Sequence, residues 1–233
     1  MTDPAGPEST AALDDAEYRA GVIDLLGVLG FGELTAFERL AADAGMAPTL
    51  SDKAALAGIA TEEYGHFVLL RDRLAGLGVA IDDAMAPFVE PLTLFHQRTA
   101  PTDWLEGLVK AYIGDGMAHD FYREIAARVD PETRELVLTV LDRGSSSEFI
   151  VERVRTGLAE EASRAGRLAL WGRRVVGEAL SQAQHVATDR DTLAALIVGR
   201  AERPGMDLAE IGRVFARLTD NHAHRMEDLG LAS

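Results

Sequence analysis

The sequence predicts an all-α chain, and three observations carry that prediction. Apolar residues recur at steps of three and four, the helical period, and nowhere alternate as strands do. Of eight prolines, Pro4 and Pro7 lie near the start, and Pro48, Pro87, Pro91, Pro101, Pro131 and Pro204 separate long proline-free stretches in which helices run unbroken. The length, 233 residues with 47% apolar side chains, suffices for one domain with a full-sized core.

Taken in order, residues 1–14 read as a flexible tail and 15–229 as a single helical domain. The first helix spans 15–45. The second runs from 50 to 77, with Thr49 or Ser51 as its N-cap. Residues 78–101 hold three prolines and little periodicity, and form a long crossover. The third helix covers 102–129, capped by Thr102 or Asp103, and Asp130-Pro131 both ends it and starts the fourth, 132–158. Two more follow at 162–190 and 206–229.

Composition excludes several functions. Lys and Arg total 23 against 38 Asp and Glu, so the net charge is −15 and the pI about 4.8, the opposite of a broad nucleic-acid-binding surface. Lys53 and Lys110 are the only lysines, every other basic residue being arginine, which base composition alone accounts for. The absence of cysteine removes disulfides, thiol nucleophiles and thiolate metal sites. No apolar run approaches the ~20 residues of a membrane span, and the start is acidic where a signal peptide is basic, so a cytoplasmic location is expected. One arginine-rich stretch, Arg164, Arg167, Arg173 and Arg174 around Trp171, is a local patch for RNA phosphates or an ordinary helix face balanced by nearby acids.

Charged residues interrupt the apolar seams. Glu33 continues the stripe of Leu25, Leu29, Phe37 and Leu40. In the second helix, Leu56, Ile59, Glu63, His66, Leu70 and Leu74 put an acid and an imidazole in one seam. In the third, Leu105, Leu108, Tyr112, Asp115 and Tyr122 place Asp115 near the middle. Buried carboxylates cost several kcal/mol unless neutralised, paired or bound to a cation. Carboxylate-bridged di-iron bundles take a Glu from each of two helices and Glu-x-x-His from each of the other two, so Glu33, Glu63, His66 and Asp115 are candidate ligands for iron or manganese. Each also has a plainer reading: Glu33 as an outward-reaching flank residue, and Asp115 as a bending or capping residue beside Gly114 and Gly116. The fourth helix breaks the pattern, with Arg143 and Ser146 where a second Glu-x-x-His belongs. His119, His185 and His222, near other seams, read as core or surface histidines.

The stretches FGELTAFERL, EEYGHF, LEGLVKAYIGDGMAHDFYREIA and GRLALWGRRVVGEALSQAQ resemble the ferritin-like superfamily, and more narrowly the non-haem di-iron tRNA hydroxylases, over about residues 17–229. That resemblance implies a four-helix bundle with two additional C-terminal helices and an oxygen-activating iron centre, to which Glu33, Glu63, His66 and Asp115 match by position. It implies one or two iron ions, the second opposed by Arg143 and Ser146, and tRNA or a small apolar molecule as substrate. Neither membrane nor DNA is expected as a partner, and a homo-oligomer is left open. The alternative is a degenerate scaffold in which Arg143 pairs with Glu63 or Asp115 and the protein serves binding or structural ends.

Overall fold

The computed structural model describes residues 13–142, 146–200 and 203–231. Residues 1–12, most of the expected N-terminal tail, lie outside that set. The first helix, α1 (Ala16–Asp43), starts where the Asp15 carboxylate accepts from the backbone N–H of Glu17 and Tyr18. A short 3₁₀ turn, Ala44–Met46, returns the chain into α2 (Leu50–Gly76). Thr49 is its cap, accepting from the Asp52 N–H at 3.1 Å. The two helices pack along their lengths.

The crossover is mostly helical. It holds α3 (Ile81–Met85), a 3₁₀ turn at Ala86–Phe88 and α4 (Val89–Arg98). Pro87 and Pro91 fall in first turns, where a missing N–H costs little, and Pro101 lies in the coil before the next helix. The next segment opens on α5 (Trp104–Lys110), capped by Asp103, passes through a π turn at Ala111–Asp115 and continues as α6 (Gly116–Ala126). Asp130 then caps α7 (Pro131–Val140), accepting from the Thr133 N–H, and also accepts from the Tyr18 hydroxyl at 2.9 Å.

The expected fourth helix, 132–158, is two: α7 ends at Val140 and α8 starts at Ser146. Leu141, whose N–H bonds back to the Val137 carbonyl, caps α7, and Asp142, whose side chain competes for backbone bonds, follows it. Arg143 lies outside the described residues. The long α9 (Arg164–Asp189) follows, then α10 (Asp191–Val198), which the sequence reading lacked, and a two-residue antiparallel pairing of β1 (Gly199–Arg200) with β2 (Arg203–Pro204). The last helix, α11 (Leu208–Asp228), opens with a capping box of Asp207 and Glu210.

Two large apolar clusters fill the interior. One gathers Leu40 of α1, Leu56, Ile59 and Ala60 of α2, Leu108 and Ile113 of the third segment, and Ile150 and Val154 of α8. The other gathers Leu25 and Leu29, Leu70 and Leu74, Ile125, and Leu141 from the opposite halves of the same segments. Each fully buried leucine stabilises the fold by roughly 1.5–3 kcal/mol. Glu33 on α1 meets Glu63 and His66 on α2 in a polar level shared by these two helices, and His119 on the third segment acts electrostatically on Glu63.

Helix α1 is long and apolar enough to cross a membrane by length and composition. Val22, Leu25 and Leu26 are fully buried and Asp24 is bonded by Arg190 and Thr192, so the bundle interior accounts for that apolarity.

Candidate metal centre

Glu33, Glu63 and His66 meet because the polar level of α1 faces that of α2. Glu63 and His66 are three residues apart, which places them on one face of the helix. His66 Nδ1 lies 3.4 Å from Glu33 Oε2 and 3.5 Å from Glu63 Oε2. The three donor atoms lie within 4.8 Å of one another. Glu33 is 7% exposed at its side chain, Glu63 17% and His66 20%, so the cluster is covered on the α1 side and reaches solvent at α2.

Their electrostatics follow from this packing. Burial pushes the Glu33 carboxyl well above its ordinary range, with the neighbouring Glu63 adding to the rise and His66 opposing it. Burial also works against the charged form of Glu63, but His66 and Glu33 outweigh it and its carboxyl ends up below the ordinary range, helped by His119. Contact with Glu33 and Glu63 raises His66 to about 10. Burial, with Glu33 nearby, pushes the hydroxyl of Tyr122 up.

The residues fit a metal ion. Glu33 Oε2 and His66 Nδ1 are buried with no hydrogen-bond partner. Two donors each about 2.1 Å from one ion sit roughly 3.0–3.4 Å apart, close to the separations here and longer than a good hydrogen bond. Two carboxylates and an imidazole, with no thiolate, suit iron or manganese.

Asp115 is not brought into this cluster, which holds only Glu33, Glu63 and His66 among the described residues. The reason is the π turn at Ala111–Asp115: its i→i+5 bonding takes up an extra residue, so a stripe drawn through it at steps of three and four goes wrong by about 100°. Asp115 acts electrostatically on Lys110, whereas His119 acts on Glu63. Both make polar interactions of their own. Ser146 is half-buried at the start of α8.

Among the other histidines, His185 Nδ1 lies 2.7 Å from the Ser181 carbonyl on an exposed face, and burial holds His222 below its usual value. The arginine-rich stretch is largely engaged. Arg164 pairs with Glu161 at 2.7 Å, Arg167 with Asp103 and Glu106, and Arg174 donates to the Arg98 carbonyl at 2.7 Å while lying over Trp171.

Sequence reasoning missed a second buried polar group formed by Asp43, His96 and Lys110. Their positions on separate elements leave no common seam to read, and the rarity of lysine was the only signal.

No curated protein matches the chain. A family model described as the ferritin-like domain of actinomycetes matches residues 16–200. With that match covering most of its length, the all-helical chain belongs to the ferritin-like domain family of actinomycetes.

Proposed function

We propose that this protein is a ferritin-like metalloprotein that holds one iron ion on Glu33, Glu63 and His66 and serves as an oxygen-dependent oxidoreductase. The observation that carries the reading is the pair of buried, unpartnered donors, Glu33 Oε2 and His66 Nδ1, 3.4 Å apart. A bound iron would supply oxygen binding and redox chemistry.

The chain's own residues do the rest. Glu33 and His66 each give up a proton to become ligands, so loading releases protons. Glu63, already held in its charged form, supplies the anion that attracts the cation first. The apolar clusters on either side keep water from the Glu33 side of the polar level, and Tyr122 keeps its proton beside Glu33. A small apolar substrate suits such walls. For tRNA, Arg164, Arg167 and Arg174 would have to leave existing partners.

A second reading, a scaffold with an incomplete site, is favoured by one specific observation: the fourth segment carries Arg143 and Ser146 in place of a second Glu-x-x-His. Metal analysis of aerobically purified protein, followed by ferrous iron titration of the metal-stripped wild type and Glu63→Ala, decides between them. Stoichiometric iron lost in the variant supports the metalloprotein; no binding by the wild type supports the scaffold.

A further inference from the structure

Lys110 ends α5 and leads into the π turn. Among the described residues it is the one cationic side chain more than nine-tenths buried, at 6% exposed. Its Nζ has no hydrogen-bond partner and lies over the Phe95 ring, 5.5 Å from the centroid. The charged and titratable groups that act on it are Arg39 and Asp43 from α1, His96 from α4 and Asp115 from the far end of the π turn. Asp43 is seated against Gly107, one turn before Lys110, where a Cβ would come within 2.9 Å of Oδ2. His96 Nε2 is 3.2 Å from Thr35 Oγ1, while its Nδ1 is buried with no partner.

The residue type is informative here. This chain uses arginine for nearly every cation, yet at the most buried cationic position among the described residues it carries one of only two lysines. A guanidinium would serve an anion at least as well and cannot lose its proton; an amine can. Buried and with no hydrogen-bond partner at Nζ, Lys110 meets the desolvation condition that makes a lysine nucleophilic.

We infer that Lys110 is a nucleophilic amine that takes a small carbonyl compound as an imine beneath the crossover helix α4. The amine lone pair attacks the carbonyl carbon and a proton moves from nitrogen to oxygen, giving a carbinolamine. The oxygen then departs as water with the second amine proton, and the C=N bond forms. No oxidant or reductant is required. His96 Nδ1 is the unpartnered acceptor left for the carbinolamine O–H. Desolvation, with Arg39 nearby, lowers the amine to about 8 despite Asp43 and Asp115, so a useful fraction is neutral near physiological pH. Access is through α4, which contributes Phe95 and His96 but no fully buried residue and is tied down by the Arg98–Glu178 pair and the Arg174 bond to the Arg98 carbonyl.

The chain supplies its own reference, because Lys53 is exposed near the start of α2. Folded full-length protein with chelator present, so that iron plays no part, is incubated with acetaldehyde and cyanoborohydride at about pH 7.5, and ethylation at the two lysines is followed by peptide mass spectrometry. Ethylation of Lys110 several-fold faster than of Lys53 is expected. Lys110→Arg, checked for native circular dichroism, should leave only the Lys53 adduct and the terminal amine adduct. Modification of Lys53 with Lys110 untouched, or equal rates at the two, overturns the assignment whatever the outcome of iron titration.

Discussion

Glu33 and His66 approach to 3.4 Å across the first two helices, and neither donor has a hydrogen bond. In the metal-free protein this contact is a proton store. His66 is raised to about 10 by Glu33 and Glu63, against about 6.5 unfolded. A base raised on folding stabilises the fold fully below its unfolded value and loses that contribution as pH climbs through the folded one. Glu33, also raised, acts in the same direction. The metal-free wild type should therefore lose melting temperature relative to His66→Gln between about pH 6.5 and about pH 10. Thermal melts in chelator across that range check it; a constant difference between the two proteins would refute it.

Metal binding should show the reverse pH dependence. Protons on Glu33 and His66 compete with the ion, so apparent iron affinity rises with pH until both are released. Chelation of loaded protein should lower its melting temperature, by about 2.7 kcal/mol of stability for a metal present at 100 times its Kd. Calorimetric titration at two pH values, with proton release measured in two buffers, tests this directly.

Glu33→Gln separates stability from function. Above about pH 10, where His66 is neutral and gives the buried carboxylate no counter-charge, the neutral amide should stabilise the metal-free fold by about 1 kcal/mol. The same change removes a ligand, and should weaken metal binding by at least about tenfold. Denaturant melts and iron titration on one preparation give both signs. A destabilised apo variant with unchanged affinity would mean that Glu33 is a structural residue.

The seams of α1 and α2 were readable because both helices are regular through their middle, so Glu33, Glu63 and His66 fall where steps of three and four put them. Asp115 was misplaced by the π turn, whose extra residue leaves no mark in the hydrophobic period. The end of α7 at Val140 was missed because Leu136, Val140, Ile150 and Val154 stay in phase on both sides. Asp43, His96 and Lys110 were invisible as a group, since tertiary packing alone joins α1, α4 and α5.

The crossover is held to α1 by a close backbone approach. A methyl group on Gly27 would overlap the Ala84 carbonyl oxygen, which is backbone and cannot turn aside. Gly27→Ala should destabilise the protein by about 3 kcal/mol through forced separation of α1 and α3. Gly32→Ala, on the same helix with open space around it, is the control, and should be neutral or slightly stabilising through helix propensity. Equal effects of the two in urea unfolding would contradict the close packing.

On the proposed reading, the fourth segment limits the number of metals. Glu33, Glu63 and His66 provide donors for a single ion, and the di-iron arrangement requires a second Glu-x-x-His facing them. Arg143 and Ser146 have the spacing of that motif but neither of its donors, and a guanidinium brings a fixed positive charge that opposes a second cation. Wild-type protein should accordingly bind about one iron per chain, and Arg143→Glu with Ser146→His should raise that towards two. Each single variant separates the contributions: Arg143→Glu removes the repulsion and adds an oxygen donor, whereas Ser146→His alone adds a donor with the cation still in place and should gain little. Two irons per chain in the wild type would show that other residues complete the site, and no gain in the double variant would show that these two positions do not face Glu33 and Glu63.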